Sequence, residues 1–156
     1  MAGARHHTEI IAWQLADQVR VEIFALTRKG TFARDFKLRP QTEDAIDSVC
    51  RNISEGFGCE SHAEFARFLE ISRRSLNEFT DCLRSAELKQ HVAPQQLATI
   101  RKLLRRLYPA LNGFIAYLRR TDTRKNHRTD KPKAPRTDKP KAPRTDTRQP
   151  DRTDQR

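Results

Sequence analysis

The sequence predicts an all-α protein: an antiparallel up-and-down four-helix bundle followed by a disordered basic C-terminal tail. Three observations carry this. Two long stretches place apolar residues at alternating steps of three and four, the spacing of a helix face buried against other helices. The joint between the second and third helices, residues 56–61, is too short for its flanking helices to lie apart. After Arg120 the only aliphatic side chains are alanines, and no aromatic residue occurs. The 156 residues therefore divide into a flexible start (1–8), a bundle domain (9–120) and a tail (121–156).

The first helix is predicted over Glu9–Arg28, capped by Thr8, with Ile11, Leu15, Val19, Ile23 and Leu26 on its inner face. Trp13 and Phe24 are eleven residues apart, which brings them to nearly the same angle away from that face. The segment Lys29–Arg39 reads as a loop that tucks Phe32 and Phe36 under the bundle. Pro40 suits the first turn of the second helix, where a missing N–H costs nothing. That helix runs to about Glu55, with Ala45, Ile46, Val49 and Ile53 inward. Glu43, Asp44 and Asp47 near its start favour the helix dipole.

Residues 52–69 define the joint. Asn52 and Glu55 are assigned to hydrogen bonds at the helix end, where backbone groups need partners. Gly56 can take the left-handed conformation that closes a helix, and Gly58 belongs to the same joint. Ser61 with Glu64 three residues later makes a capping box for the third helix. That helix spans His62–Leu88, with a seam of Phe65, Leu69, Ser72, Leu76, Phe79, Leu83 and Ala86. Pro94 opens the fourth helix, whose seam is Leu97, Ile100, Leu104, Leu107, Leu111, Phe114 and Leu118, flanked by Leu103, Ala110 and Tyr117. Pro109 should kink or loosen one turn of it. In the tail, Arg-Thr-Asp recurs every eight residues from Arg120 to Arg152. A repeat this regular and this polar cannot bury enough surface to offset its ordering entropy.

The formal net charge is +11. Up to Arg120 there are 19 Lys+Arg and 14 Asp+Glu, and after it 12 and 6, so the surplus is split between domain and tail. Such a balance points to a polyanion, nucleic acid before membrane. The sharpest local feature is the stretch from Val92 to Thr121, which has no Asp or Glu but has Arg101, Lys102, Arg105, Arg106, Arg119 and Arg120. Lys102, Arg106 and Arg120 share its back, and Arg101, Arg105 and Arg119 a flank. With Arg73 and Arg74 on the third helix, these are the candidate phosphate contacts, because guanidinium forks match phosphate oxygens. Such contacts are blind to base sequence. The competing expectation is a solvated face whose acids lie on adjacent helices.

Catalytic chemistry finds little to work with. Three cysteines, Cys50, Cys59 and Cys82, lack metal-knuckle spacing and point to a reducing, cytoplasmic setting without a disulfide framework. No paired carboxylates, phosphate loop or Glu-x-x-His pair is present, so no metal or cofactor is expected. Arg84 and His91, separated by six residues, match the Arg-to-His spacing of ribonucleases built on another four-helix bundle. This makes a ribonuclease the remote alternative.

Four motifs carry a family resemblance: Trp13-Gln14, Asn52-Ile53-Ser54-Glu55-Gly56-Phe57-Gly58, Glu64-Phe65-Ala66-Arg67-Phe68-Leu69 and Ser75-Leu76-Asn77-Glu78. Their order and spacing resemble the four-helix bundle proteins encoded in intervening sequences of bacterial 23S ribosomal RNA genes. That family includes the accessory variability determinant of diversity-generating retroelements. The resemblance covers residues 9–120. It implies an antiparallel bundle assembling as a ring-shaped homopentamer, with no catalysis by the bundle itself. In the retroelement branch it implies a basic ring that binds nucleic acid and associates with a reverse transcriptase. Two departures stand out. Val49-Cys50-Arg51 replaces the family's Ile-Pro before the Asn, and Glu43-Asp44 replace basic residues early in the second helix. The second change throws the weight of any phosphate contact onto the fourth helix. The expected function is thus a non-enzymatic, oligomeric nucleic-acid-binding protein, the alternative being an oligomeric scaffold without nucleic-acid affinity.

Overall fold

Four helices wrap one apolar interior in the computed structural model, which describes the backbone of residues 4–129 and the side chains of residues 4–121. They are α1 (Ile11–Thr27), α2 (Leu38–Phe57), α3 (His62–Leu88) and α4 (Ala98–Thr129), with single 3-10 turns at His7–Glu9 and Phe32–Arg34. Each helix packs on its two neighbours in the cyclic order α1, α2, α3, α4. The antiparallel register is written in the cross-helix bonds. Arg20 meets Asp47 and Thr27 meets Glu43 between α1 and α2. Ser48 meets Ser75 and Val49 meets Ser72 between α2 and α3. Glu87, Leu76 and Glu70 of α3 meet Arg101, Tyr108 and Arg119 of α4. The repeat tail beyond Thr129 lies outside the described residues.

The third helix folds as its periodicity predicts. Every residue of the seam from Phe65 to Ala86 is buried, Ser72 included. Ser72 is tolerated there because its hydroxyl donates to Val49 O at 3.0 Å, which satisfies the buried oxygen and ties α3 to α2. The fourth helix departs at one position. Ile115, rather than Phe114, is fully inside, and Phe114 packs half-buried with its ring edge against Phe65 at 5.0 Å. Pro94 opens a tight turn, and α4 itself starts at Ala98. The helix runs unbroken through Pro109. The N–H that Pro109 lacks would have bonded the carbonyl of Arg105, on an exposed flank where water can take its place. The backbone also stays helical nine residues past Arg120, to Thr129. Extending a formed helix needs only one residue fixed per added bond.

The first helix keeps Leu15, Val19 and Ile23 inward as predicted and departs at Ile11. Ile11 is 65% exposed, and the inner face is Ala12, Leu15, Ala16, Val19, Ile23 and Thr27. Thr8 is not the cap: it lies in the preceding 3-10 turn, and Ile10 holds the cap position. Trp13 and Phe24 are half-buried against the core. Trp13 Nε1 is the one buried side-chain nitrogen or oxygen without a hydrogen-bond partner among the described residues.

The joint between α2 and α3 works differently from expectation. Gly56 is not in the left-handed region; it is buried inside α2, and Gly58 ends the helix in an ordinary right-handed conformation. What Gly56 supplies is the absence of a side chain. A Cβ there would lie 2.4 Å from Phe65 Cδ2 and 2.8 Å from Phe68 Cβ. Ser61 Oγ accepts from Glu64 N at 3.1 Å as predicted, whereas the Glu64 carboxylate turns to the Cys59 thiol. Asn52 sits one turn up from the joint. Its amide donates to Ser48 O at 2.7 Å, and Ser48 continues the chain to Ser75. Glu55 contributes its backbone carbonyl, which accepts from Gly58 N at 3.0 Å.

Two glycines with opposite surroundings test this packing. Gly56→Ala is expected to destabilise the fold by about 1–3 kcal/mol, because overpacking outweighs the gain in helix propensity. Gly113→Ala, where nothing lies within 4 Å of the added carbon, is expected to stabilise it by about 1 kcal/mol. Urea unfolding of both variants checks the pair.

Candidate nucleic-acid interface

α4 turns its basic residues outward because its apolar seam faces the core. Arg101, Lys102, Arg105, Arg106, Arg119 and Arg120 are all exposed, as are Arg73 and Arg74 on α3. The structure sorts them into three places. The flank of α4 that faces α3 carries Arg101, Arg105, Tyr108, Asn112 and Arg119. Here two acids of α3 partly neutralise the row: Glu87 pairs with Arg101, and Glu70 with Arg119. Arg73 donates to Asn112 Oδ1 at 3.3 Å across the same groove. The solvent back of α4 carries Lys102, Arg106 and Arg120, and Arg74 lies on the solvent face of α3. Among the described residues Lys102, Arg105, Arg106, Arg120 and Arg74 have no ion-pair partner.

The eight cations do not form one patch. Arg101, Lys102, Arg105 and Arg106 lie at the end where α3 gives way to α4. Arg119 and Arg120 lie roughly 20 Å away along the helix, near the α2–α3 joint, where His62 Nδ1 is 2.7 Å from Thr121 Oγ1. At the first end, Thr80, Arg101, Leu104, Arg105, Tyr108 and Pro109 surround an open depression of about 430 Å³. The Tyr108 hydroxyl is tied to Asn77 Oδ1 and Thr80 Oγ1, both at 3.0 Å. Arg84 belongs to this groove. It follows Arg73, Asn77 and Thr80 at steps of four and three, so it occupies the flank of α3 that faces α4. As a groove cation it was missed from sequence, because its spacing from His91 drew attention instead.

His91 is engaged in the fold. Its Nε2 donates to Asp35 Oδ2 at 2.9 Å, its Nδ1 is 2.9 Å from Thr31 Oγ1, and its ring stacks on buried Phe32 at 5.4 Å. Both nitrogens thus face the α1–α2 connection. Lys89 Nζ donates to the same Asp35 oxygen at 2.8 Å. The other Asp35 oxygen accepts from Leu38 N at 2.8 Å and Lys37 N at 3.2 Å, so Asp35 caps α2. The Leu38 N–H first, then Lys89 and His91, hold the Asp35 carboxyl well below the usual carboxylate range. The spacing Asp-x-x-Leu before the second helix is a cap signal, and reading it would have placed Asp35.

Thiol chemistry has no support in the geometry. Burial pushes the Cys50 thiol up to about 12, and burial also raises Cys82 and Cys59. Among the described residues no group of three His, Cys, Asp or Glu side chains could hold a metal ion, and no helix is long and apolar enough to cross a membrane.

Fold and surface together define a four-helix bundle protein with a basic groove between its third and fourth helices. The chain belongs to the family of 23S rRNA-intervening sequence proteins: that family's model matches residues 8–113, more than half of the chain. No curated protein matches it.

The Asp35 cluster makes a pH-dependent contribution to stability. A carboxyl held low in the folded state stabilises above its unfolded value of about 3.9 and loses that effect as the pH falls below it. Asp35→Asn is therefore expected to be less stable than wild type at pH 7, and the gap should narrow toward pH 2. Thermal unfolding across that range checks it.

Proposed function

We propose that this protein is a non-enzymatic, self-associating nucleic-acid-binding bundle that holds phosphate backbones at the α3–α4 end. One observation supports this above the others: an exposed helix without an acidic residue from Ala98 to Thr121, on which Lys102, Arg105 and Arg106 cluster without partners among the described residues. A purely solvated helix intersperses its signs. Two of the α4 arginines do meet acids on α3; their guanidinium sides are open to solvent, Arg101 44% and Arg119 64% exposed, while the Glu87 and Glu70 side chains are 24% and 22% exposed. A phosphate can approach each guanidinium from its solvent side, where the fork offers further N–H donors. Recognition would follow charge and shape rather than base sequence, since the contacts available are to phosphate.

Self-association is the second part of the proposal. The outer face of α1 exposes Ile11 and Val21, 65% and 63% accessible, beside Gln14 and Gln18. Next to it, Ile10, Ile11, Ala12, Ala110 and Phe114 line an apolar groove of about 300 Å³ between α1 and α4. A second copy covering this face would leave the α3–α4 groove open. A ring of five copies, as the resemblance implies, would repeat the basic groove around its rim. Association with a reverse transcriptase would use such a ring as a platform, and co-purification with an enzyme encoded alongside would test it.

Two outcomes are expected. Replacing Arg101, Lys102, Arg105 and Arg106 together by Gln should weaken binding to a generic RNA or DNA and reduce the slope of log K against log salt by roughly 3. An unchanged slope removes α4 from the interface. Ile11→Glu with Val21→Glu should lower the sedimenting mass toward that of one chain, and an unaltered mass places self-association elsewhere.

A further inference from the structure

The loop joining α1 to α2 leaves a phenylalanine where the fold has no use for it. Phe36 is 86% exposed, the most accessible of the large apolar side chains among the described residues. Four positions earlier, Phe32 is fully buried. The two were equivalent in sequence, and the cap separates them. Asp35 binds Lys37 N and Leu38 N with one oxygen and Lys89 and His91 with the other, which fixes the chain on either side of Phe36. The exposed ring is therefore held on a rigid support. Single exposed apolar residues are common on protein surfaces, so what gives this ring meaning is the set of groups around it.

Its surroundings specify the partner. From Arg28 to Arg39 the loop carries Arg28, Lys29, Arg34, Lys37 and Arg39 against a single acid, Asp35, which is fully engaged. Arg39 pairs with Glu43, and Arg28 lies over the Phe24 ring at 5.5 Å. Lys29, Arg34 and Lys37 have no ion-pair partner among the described residues. The loop lies at the same end of the bundle as the first α4 cations. His91 and Lys89, which bind it, sit in and beside the α3–α4 joint, and Glu87, two residues before Lys89, pairs with Arg101. A flat ring among free cations, at the same end as a basic groove, matches what an unpaired strand offers: stacked bases on a phosphate backbone. A duplex hides its base faces and would find only the charges.

We infer that Phe36 is a stacking platform for a base of single-stranded nucleic acid, with Arg34 and Lys37 on the adjoining phosphates. This rests on the nucleic-acid role proposed above and deepens it by naming the strand state. Stacking is uncharged, so it changes affinity without changing counterion release.

The test is fluorescence anisotropy with the full chain, a labelled 20-nucleotide single strand and a duplex of equal length, over a salt series. Phe36→Ala should weaken single-strand binding about 5- to 150-fold, the range for losing one stacked base. The salt slope and the duplex affinity should stay as in wild type. Phe36→Trp should restore affinity, and the added indole emission, read against Trp13 alone in the wild type, should be quenched by the single strand. Because Phe36 is so exposed, neither change is expected to move the unfolding midpoint. Equal losses on single strand and duplex, or no loss on either, overturn the platform while leaving the α4 interface standing. A Phe36→Ala protein that changes sedimenting mass instead makes the loop a protein contact and overturns it too. Wild-type protein that binds neither oligonucleotide removes the nucleic-acid role and this platform together.

Discussion

The close approach of α2 and α3 is the constraint on which the bundle depends. At Gly56 the α2 backbone meets the Phe65 ring and the Phe68 Cβ with no room for a methyl group. Farther along, Ser72 bonds the Val49 carbonyl, and Asn52 reaches Ser75 through Ser48. These contacts set the register of the two helices, and the register sets where α4 must lie to bury Leu107, Leu111 and Leu118. The outward position of the α4 cations follows from that burial. A charged surface can be this one-signed only because the apolar interior beneath it does the folding: each buried Leu, Ile or Phe contributes on the order of 1.5–3 kcal/mol.

The opposite end of the molecule shows a second organising contact. Asp35 collects four donors from three parts of the chain: the start of α2, Lys89 and His91. Helix capping, loop anchoring and closure of the α3–α4 joint are therefore one electrostatic event. Its consequence for function is geometric. It ties the Arg34–Lys37 loop to the segment that leads from α3 to α4, so the loop lies at the same end of the bundle as the first α4 cations. His91, which by spacing alone could have been a ribonuclease base, is used as the strut between them.

Much of this was legible in the sequence, and the failures share a physical cause. Every residue of the α3 seam is buried, because Phe65, Leu69, Leu76, Phe79 and Leu83 at a 4-3 spacing admit only one buried face and carry Ser72 and Ala86 with them. The α1 face is legible at Leu15, Val19 and Ile23 but not at Ala12, Ala16 and Thr27, small residues whose burial depends on how closely a partner helix comes. Gly56 was given the wrong role because a glycine that allows a left-handed turn and one that allows close packing look identical until the neighbour is known. Phe36 was placed inside because hydrophobicity says nothing about which way a capped loop is pinned. The α4 charges were legible as a run without acids. Which of them would be neutralised depended on Glu87 and Glu70 of another helix, and no local pattern reveals that.

Photo-crosslinking reads the central claim most directly. A 4-thiouridine-substituted RNA strand irradiated with the full-length protein, digested and mapped by mass spectrometry reports which residues touch the nucleic acid. The account predicts crosslinks in the peptides containing Phe36 and Arg101–Arg106 and none on the outer face of α1. Crosslinks concentrated around Ile11 and Val21, with the α3–α4 end unmarked, would contradict it.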